Sequence, residues 1–391
     1  DQHEAVGHAV RAAYLYAAMT DIAAITHSNK YMPALNDIWK DIVNKKMDVT
    51  GGVGTSQFHN EGFGDAYQLF NDKAYCETCS AIAMILWNRR MNWLMGDSKF
   101  GDLVELIMYN AGISGVSLTR DRFFYTNPLE SNGNHKRKPW FEPGCCPSNM
   151  VRFLPEIGST LYGKDDHGIY INQFMANEAT ISLKNTKVTL IQKTDYPWKG
   201  KVEIQVDPAV SEIFKLNIRI PGWARGEFIP RCNLYKFLEE SIQKKPEFIL
   251  KVNGEKIHNL DLKRGYITIN RKWKKKDVVE LEFPMNIRVV TGNPKLEDTQ
   301  GKIALMRGPV VYCMEEVDNP LYFDKTHEYF IDPYEFESEF KKDLLGGVVI
   351  IQGKASLLRR PEEIDTTAVP YYSWCNRGAG KMKVWLPANL E

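Results

Sequence analysis

The residues with the most chemical reach in this chain are cysteines. Four of the seven fall in two tight groups, Cys76 with Cys79 and Cys145 with Cys146. A vicinal pair rarely closes its own disulfide, because the bond needs separated Cα atoms with converging Cβ vectors. An odd count in a chain of 391 residues also argues against a disulfide scaffold. Metal binding or nucleophilic attack, both the work of thiolates, suits such clustering better. Pro147 fits the first position of a helix, which would place Cys146 at or near the N-cap and Cys145 just outside it. A helix N-terminus favours thiolate over thiol. With Tyr75-Cys76-Glu77-Thr78-Cys79, the pair offers enough thiolate and carboxylate for one tetrahedral zinc. Two ligand sets compete. The first is Cys76, Cys79, Cys145 and Cys146, whose C-x-x-C spacing puts its first pair on one helical face. The second is Glu77, Cys79, Cys145 and Cys146, in which Glu77 and Cys79 converge only where the backbone is extended or turning. Spacing favours the first set. The plain alternative is four buried apolar thiols.

Other groups could supply acid–base chemistry. His59-Asn60-Glu61-Gly62-Phe63-Gly64 sets a carboxylate in a flexible run behind a histidine, which suits a general acid or base, or simply a solvated glutamate. His8 stands at the start of an apolar helix, where a lone histidine is more often structural. The aromatic run from Phe123 to Glu130, with Tyr125 inside it, lines a pocket or plugs a core. His135 lies in a polar run near Trp140 and reads as surface. Gly51-Gly52-Val53-Gly54 lacks the preceding strand and following Lys-Ser/Thr of a phosphate cradle.

Two kinds of element must position these groups. Residues 1–162 carry helical patterns: Ala9 to Ile25, apolar nearly all round; Met32 to Val43, with Leu35, Ile38, Trp39 and Ile42 at helical spacing; residues 80–95; Leu103 to Tyr109; and Met150 to Leu161. Helices joined by glycine-bearing loops, without strands between them, suggest a bundle or an α/α toroid. Near Gly163 the composition changes to short alternating stretches separated by turn signals such as Asn253-Gly254, the pattern of a β-sandwich. Residues 163–292 form one such block and 293–391 a second. Residues 235–246 read as a helical or looped insertion, and 321–341 and 361–365 as loops.

Composition narrows the function classes. Hydrophobic content of 43% and charged content of 25% are those of a globular chain long enough for a large core. A net charge of +1, with Lys and Arg dispersed, gives nucleic-acid binding no electrostatic support. No apolar run approaches the ~20 residues needed to span a bilayer. Aromatic content of 12% fits a sugar-binding surface as well as a core. The chain begins inside a helical pattern without an initiator Met, so an N-terminal part is expected to be missing. Location stays open between cytoplasm and periplasm.

In chain order, Gly7-His8-Ala9-Val10-Arg11, Gly51-Gly52-Val53-Gly54, Glu61-Gly62-Phe63-Gly64, Ala74-Tyr75-Cys76-Glu77-Thr78-Cys79, Tyr125-Thr126-Asn127-Pro128-Leu129-Glu130-Ser131 and Cys145-Cys146-Pro147-Ser148-Asn149 resemble the motifs of glycoside hydrolase family 127 and its relative family 146, the β-L-arabinofuranosidases. Ile220-Pro221-Gly222-Trp223-Ala224, Arg307-Gly308-Pro309 and Pro370-Tyr371-Tyr372 extend the resemblance over essentially the whole chain. It implies a multidomain α and β protein: the later helices of an (α/α)6 barrel in residues 1–162, then two β-sandwich domains. It also implies the second ligand set, with zinc on Glu77, Cys79, Cys145 and Cys146 and with Cys76 as a neighbour. Cys145 would be the nucleophile and Glu61 the acid/base of a retaining hydrolase that releases L-arabinofuranose from β-L-arabinofuranosides. His8, His59 and Tyr125 would contact the sugar. The implied partner is a carbohydrate, and a homodimer is left open.

Two other functions stay open: the same machinery acting on another plant-polysaccharide sugar, and a non-catalytic carbohydrate-binding protein stabilised by zinc. The chain departs from the family in two places. Members carry a long barrel portion before the His8 motif, so this chain alone is expected to be inactive or poorly folded. Phe141-Glu142-Pro143-Gly144 stands where some members have another cysteine, which alters the rim of the pocket.

Overall fold

Helix α3 (Thr78–Met95) is the axis of the N-terminal part, with nearly every residue from Thr78 to Asn92 buried. The structure is a computed structural model and describes residues 2–55, 61–239, 248–258, 260–324, 327–357 and 362–389. Helix α1 (Ala9–Thr26) packs on α3 through Ala9, Ala13, Tyr16, Ala17, Thr20 and Ala23, and the Tyr16 and Trp87 rings lie 5.0 Å apart. Small residues on that stripe let the two helices approach closely. Leu15, Ile22 and Ile25 of α1 are exposed, so the helix is buried on one face and not all round as its composition suggests. Helices α2 (Met32–Asp41) and α4 (Ser98–Ile107) each continue into a wider π-helical turn, at Ile42–Lys46 and Met108–Gly112. Among the described residues no helix is long and apolar enough to cross a membrane.

Helix α5 (Cys145–Glu156) starts earlier than Pro147 suggests: Gly144 is its N-cap, and Cys145 and Cys146 are its first two residues. Pro147 is tolerated at the third position because the first-turn amides have no intrahelical acceptor. The N-terminal part also holds one short strand, Glu130–Asn132, which pairs with Lys381–Lys383 near the end of the chain.

The described strands form three sheets, and Glu130–Asn132 belongs to the third. A five-stranded sheet runs Leu262–Lys263, Tyr266–Trp273, Glu212–Arg219, Gly168–Ile171, Tyr162–Asp165, with one parallel pairing between Gly168–Ile171 and Glu212–Arg219. A six-stranded antiparallel sheet is built from Glu255–Lys256, Ile249–Val252, Asp277–Glu282, Lys201–Pro208, Lys187–Thr194 and Asn177–Ser182. Alternation such as buried Val202, Ile204 and Val206 gives each sheet an apolar face, and both faces feed one core. The ten-stranded third sheet is centred on Val310–Glu315 and includes Ile287–Gly292. Two stretches read as loops are strands in it, Tyr329–Lys341 and Glu363–Pro370. Tyr235–Phe237, expected in an insertion, is also a strand of this sheet. Residues 240–247 lie outside the described residues.

A buried charge cluster pins the helices to the sheets. Arg219, fully buried, sends Nη1 to Asp102 Oδ1 and Nη2 to Glu105 Oε1, both at 2.6 Å. The Tyr196 hydroxyl (2.7 Å) and Trp223 Nε1 (3.1 Å) also donate to Glu105. Buried charges are tolerable only when paired and hydrogen-bonded in this way. His135, read as a surface residue, is half-buried. Its ring lies 4.7 Å from Phe124 and 5.7 Å from Trp374, and burial holds its pKa down.

Candidate active site

The chain turns sharply into α3. Cys76 adopts a left-handed conformation (φ 39°), Glu77 is extended (ψ 135°), and the helix begins at Thr78. That turn brings Glu77 and Cys79 to the same side, although they are two residues apart. It sends Cys76 the other way, where its thiol donates to Asp48 Oδ2 at 2.9 Å with both groups buried. A Cβ at Gly52 would come within 2.6 Å of Cys76 Sγ, so the glycine run makes room for this thiol.

The four-cysteine set favoured by spacing is therefore not the one assembled. Among the described residues, ligand atoms of Glu77, Cys79, Cys145 and Cys146 all lie within 4.8 Å of one another. Cys79 Sγ is 3.6 Å from Cys146 Sγ, which is 3.8 Å from Cys145 Sγ. Both Cys145 and Cys146 sulfurs stand 3.6 Å from Glu77 Oε1. These gaps are too long for disulfides. They match the edges of a tetrahedron: sulfurs about 2.3 Å from a zinc at tetrahedral angles would sit about 3.8 Å apart. Glu77 Oε2 is buried without a hydrogen-bond partner among the described residues, as a carboxylate oxygen prepared for a cation would be. The residues therefore fit a metal ion.

Electrostatics agree. Burial pushes the Cys145 thiol up to about 11, overriding any help from the helix N-terminus. Cys146 is pushed up by its hydrogen bond with Cys79 and by burial, and Glu77 by burial and the Glu61 charge. Cys79 alone is lowered, mainly through Cys146. So many acidic groups packed together favour a bound cation over free anions.

Glu61 stands beside this cluster. Antiparallel bonding ties its segment to the start of α1: Ala9 N donates to Glu61 O at 2.8 Å, and Phe63 N to Gly7 O at 2.9 Å. Glu61 has φ +65°, a left-handed conformation costing about 1–2 kcal/mol for a side-chain-bearing residue. Such strain is commonly retained where a side chain must be aimed. His8 Nε2 reaches Glu61 Oε2 at 2.8 Å, while the Tyr75 and Tyr125 hydroxyls donate to Oε1 at 3.0 and 2.9 Å. Burial works to raise Glu61, but the hydrogen bonds from Tyr125, Tyr75 and His8 hold it below the usual carboxylate range. His8 and Glu61 remain 25% and 30% exposed, so a ligand can reach them. Tyr125 also touches the cysteines, with its hydroxyl 3.4 Å from Cys145 Sγ.

The structure thus brings together His8, Glu61, Glu77, Cys79, Tyr125, Cys145 and Cys146. His59 lies outside the described residues. Tyr75 was missed as a site residue, and its only sequence signal is its place two residues before Glu77. Asn127, fully buried, locks the two tyrosine segments together: its Nδ2 donates to Cys76 O at 2.8 Å and its N to Tyr75 O at 3.1 Å. The Phe141 ring packs edge-on against Tyr125 at 5.6 Å.

Comparison with known proteins gives a consistent picture. Residues 1–159 match the family model described as β-L-arabinofuranosidase, catalytic domain of glycoside hydrolase family 127. Residues 168–285 match that family's middle domain, and 287–387 its C-terminal domain. The curated non-reducing end β-L-arabinofuranosidase of Bifidobacterium longum subsp. longum is 30% identical, covering 98% of this chain and 60% of that protein. A solved family 127 β-arabinofuranosidase superposes with a TM-score of 0.93 at 42% identity, covering 100% of this chain and 61% of that one. A family 127 β-L-arabinofuranosidase from Geobacillus stearothermophilus T6 gives 0.88 at 36% identity, covering 99% of this chain and 61% of that one. The chain spans about 60% of the length of the curated relative.

Proposed function

This chain belongs to glycoside hydrolase family 127, and on that premise we propose that it carries the reacting groups of a retaining hydrolase that releases L-arabinofuranose from β-L-arabinofuranosides. The similar β-L-arabinofuranosidases support the sugar. In this reading residues 1–162 are later helices of an (α/α)6 barrel, and 163–292 and 293–391 are two β-sandwiches.

One observation carries the mechanism. Glu61 and Cys145 are separated by a single hydroxyl, at 2.9 and 3.4 Å. That keeps them below the roughly 6.5 Å minimum of an inverting pair, which must admit a water between its two groups. Cys145 Sγ attacks the anomeric carbon and forms a C–S bond as the glycosidic C–O bond breaks. Glu61 gives its proton to the departing oxygen. In the second half Glu61 takes a proton from water, whose oxygen displaces the sulfur. His8, Tyr125 and His59 hold the sugar. Zinc bound by Glu77, Cys79, Cys145 and Cys146 would supply the positive charge that keeps Cys145 a thiolate at neutral pH.

Glu61 is held ionised in the free site, so substrate binding must displace one of its partners before it can act as an acid. Replacing Glu61 by Gln in the complete protein tests the assignment. Hydrolysis of a natural glycoside should fall by about 10²–10⁴-fold with zinc still bound. Full activity in that variant would sink the reading.

A further inference from the structure

A well-formed cleft lies away from the cysteines. It holds about 640 Å³ between the C-terminal turn of α3 and the edge of the five-stranded sheet, and none of its lining residues belongs to the Glu61–Cys145 site. We propose that this cleft is a second carbohydrate site, binding a neutral oligosaccharide that stacks on Trp93 and hydrogen-bonds Asn172, Lys164 and Asp165.

Trp93 is 48% exposed, an unusual position for an indole. The Arg89 guanidinium braces it, 4.8 Å from the ring centroid. Asn172 is only 2% exposed. Its Oδ1 accepts from the Tyr266 hydroxyl at 2.7 Å, but its Nδ2 has no partner among the described residues. The side chain is otherwise packed away, so this donor opens on the cleft, where a ligand hydroxyl can accept from it.

Gly163 keeps that donor reachable. A Cβ there would stand 3.4 Å from Asn172 Nδ2 and 3.4 Å from Trp93 Cδ1, filling the gap between ring and amide. Lys164 uses one of its three donors on Ser182 O at 2.7 Å. Asp165 Oδ2 accepts the Tyr170 hydroxyl at 3.1 Å. The two charges offset each other, so neither an anion nor a cation is favoured. An apolar ligand would leave Asn172 unpaired. A sugar has both features the cleft asks for: a C–H face for the indole and hydroxyls for the amide, ammonium and carboxylate.

The site stands or falls separately from the reaction at Cys145. Calorimetric titration of an arabinofuranose trisaccharide into the complete protein carrying Glu61→Gln reads binding without turnover. Two binding events are expected. Adding either Trp93→Ala or Gly163→Ala should weaken one of them tenfold or more. The same substitutions in the Glu61 protein should leave kcat/KM on a small aryl arabinofuranoside within twofold. The Ala at 163 makes only ordinary contacts, so it serves if the Trp93 variant folds poorly. Unchanged titrations in both variants, or a single event lost on competition at Glu61, would overturn the proposal. A Trp93-dependent event, together with no hydrolysis by the zinc-loaded complete protein that retains Glu61, would keep this site and refute the catalytic reading.

Discussion

Glu61 and Cys145 are joined through one hydroxyl: the Tyr125 hydroxyl donates to Glu61 Oε1 at 2.9 Å, and its oxygen stands 3.4 Å from Cys145 Sγ. A phenol has a single hydrogen to give. Burial and its contacts with Cys145 and Glu61 hold Tyr125 well above the usual tyrosine range, so it stays a donor. While the carboxylate takes that proton, the phenol has none for the sulfur, which bonds to it only as a thiol donor. Once Glu61 is protonated, the phenol is free to turn to the thiolate.

Replacing Tyr125 by Phe breaks this link and leaves both of its neighbours in place. The expected result is a loss in kcat/KM of about 10²-fold, comparable to removing one preorganised donor. Metal content should stay unchanged. Steady-state kinetics with metal analysis on the same sample checks this. A loss of metal with the activity would instead make Tyr125 a structural prop.

The thiolate–carboxylate cluster predicts about one zinc per complete protein. Removing it with a chelator should abolish activity and lower the melting temperature, because the binding energy is part of the folding energy. Replacing Cys76 by Ser should leave the metal bound, since that thiol faces Asp48 and not the cluster. Zinc lost from the Cys76 variant, but not from a Cys79 variant, would reverse the ligand assignment.

Asp48 gives a pH signature. Burial raises its carboxyl from the ordinary 3.8 to about 7. The native state therefore holds this proton more tightly than the unfolded state. Below pH 4 both states are protonated and the group costs nothing. As pH rises towards 7 the unfolded carboxyl ionises first, and stability falls by up to about 1.4 kcal/mol per pH unit. Asp48→Asn keeps an acceptor for the Cys76 thiol and should flatten that slope. Urea unfolding at pH 4.5 and 6.5 would show it, and an identical slope in the two proteins would contradict it.

How much of this was legible in the sequence depends on how local each cause was. Apolar patterning located α1, α2 and α3, but only the later halves of α4 and α5, whose first turns are polar or carry the cysteine pair. The choice between Cys76 and Glu77 did not follow from spacing, since C-x-x-C implies a helix through all four positions. The left-handed turn at Cys76 is fixed by Gly52 and Asp48, more than twenty residues upstream. His135 read as surface because Trp374, which stacks on it, is remote in the chain. Tyr329–Lys341 read as a loop because it is a largely exposed end strand of its sheet, with a bulge between Ile331 and Phe336. The reacting set itself came from family motifs, and the geometry supports it through the contacts of Tyr125.

The central claim is that Cys145, and neither of its thiol neighbours, attacks the sugar. The direct measurement is peptide mass spectrometry of the complete zinc-loaded protein after incubation with an arabinofuranose-based cysteine-reactive inhibitor. The account predicts one label per protein, on Cys145, appearing in step with loss of activity. A label on Cys79 or Cys146, or full inactivation with Cys145 unmodified, would contradict it.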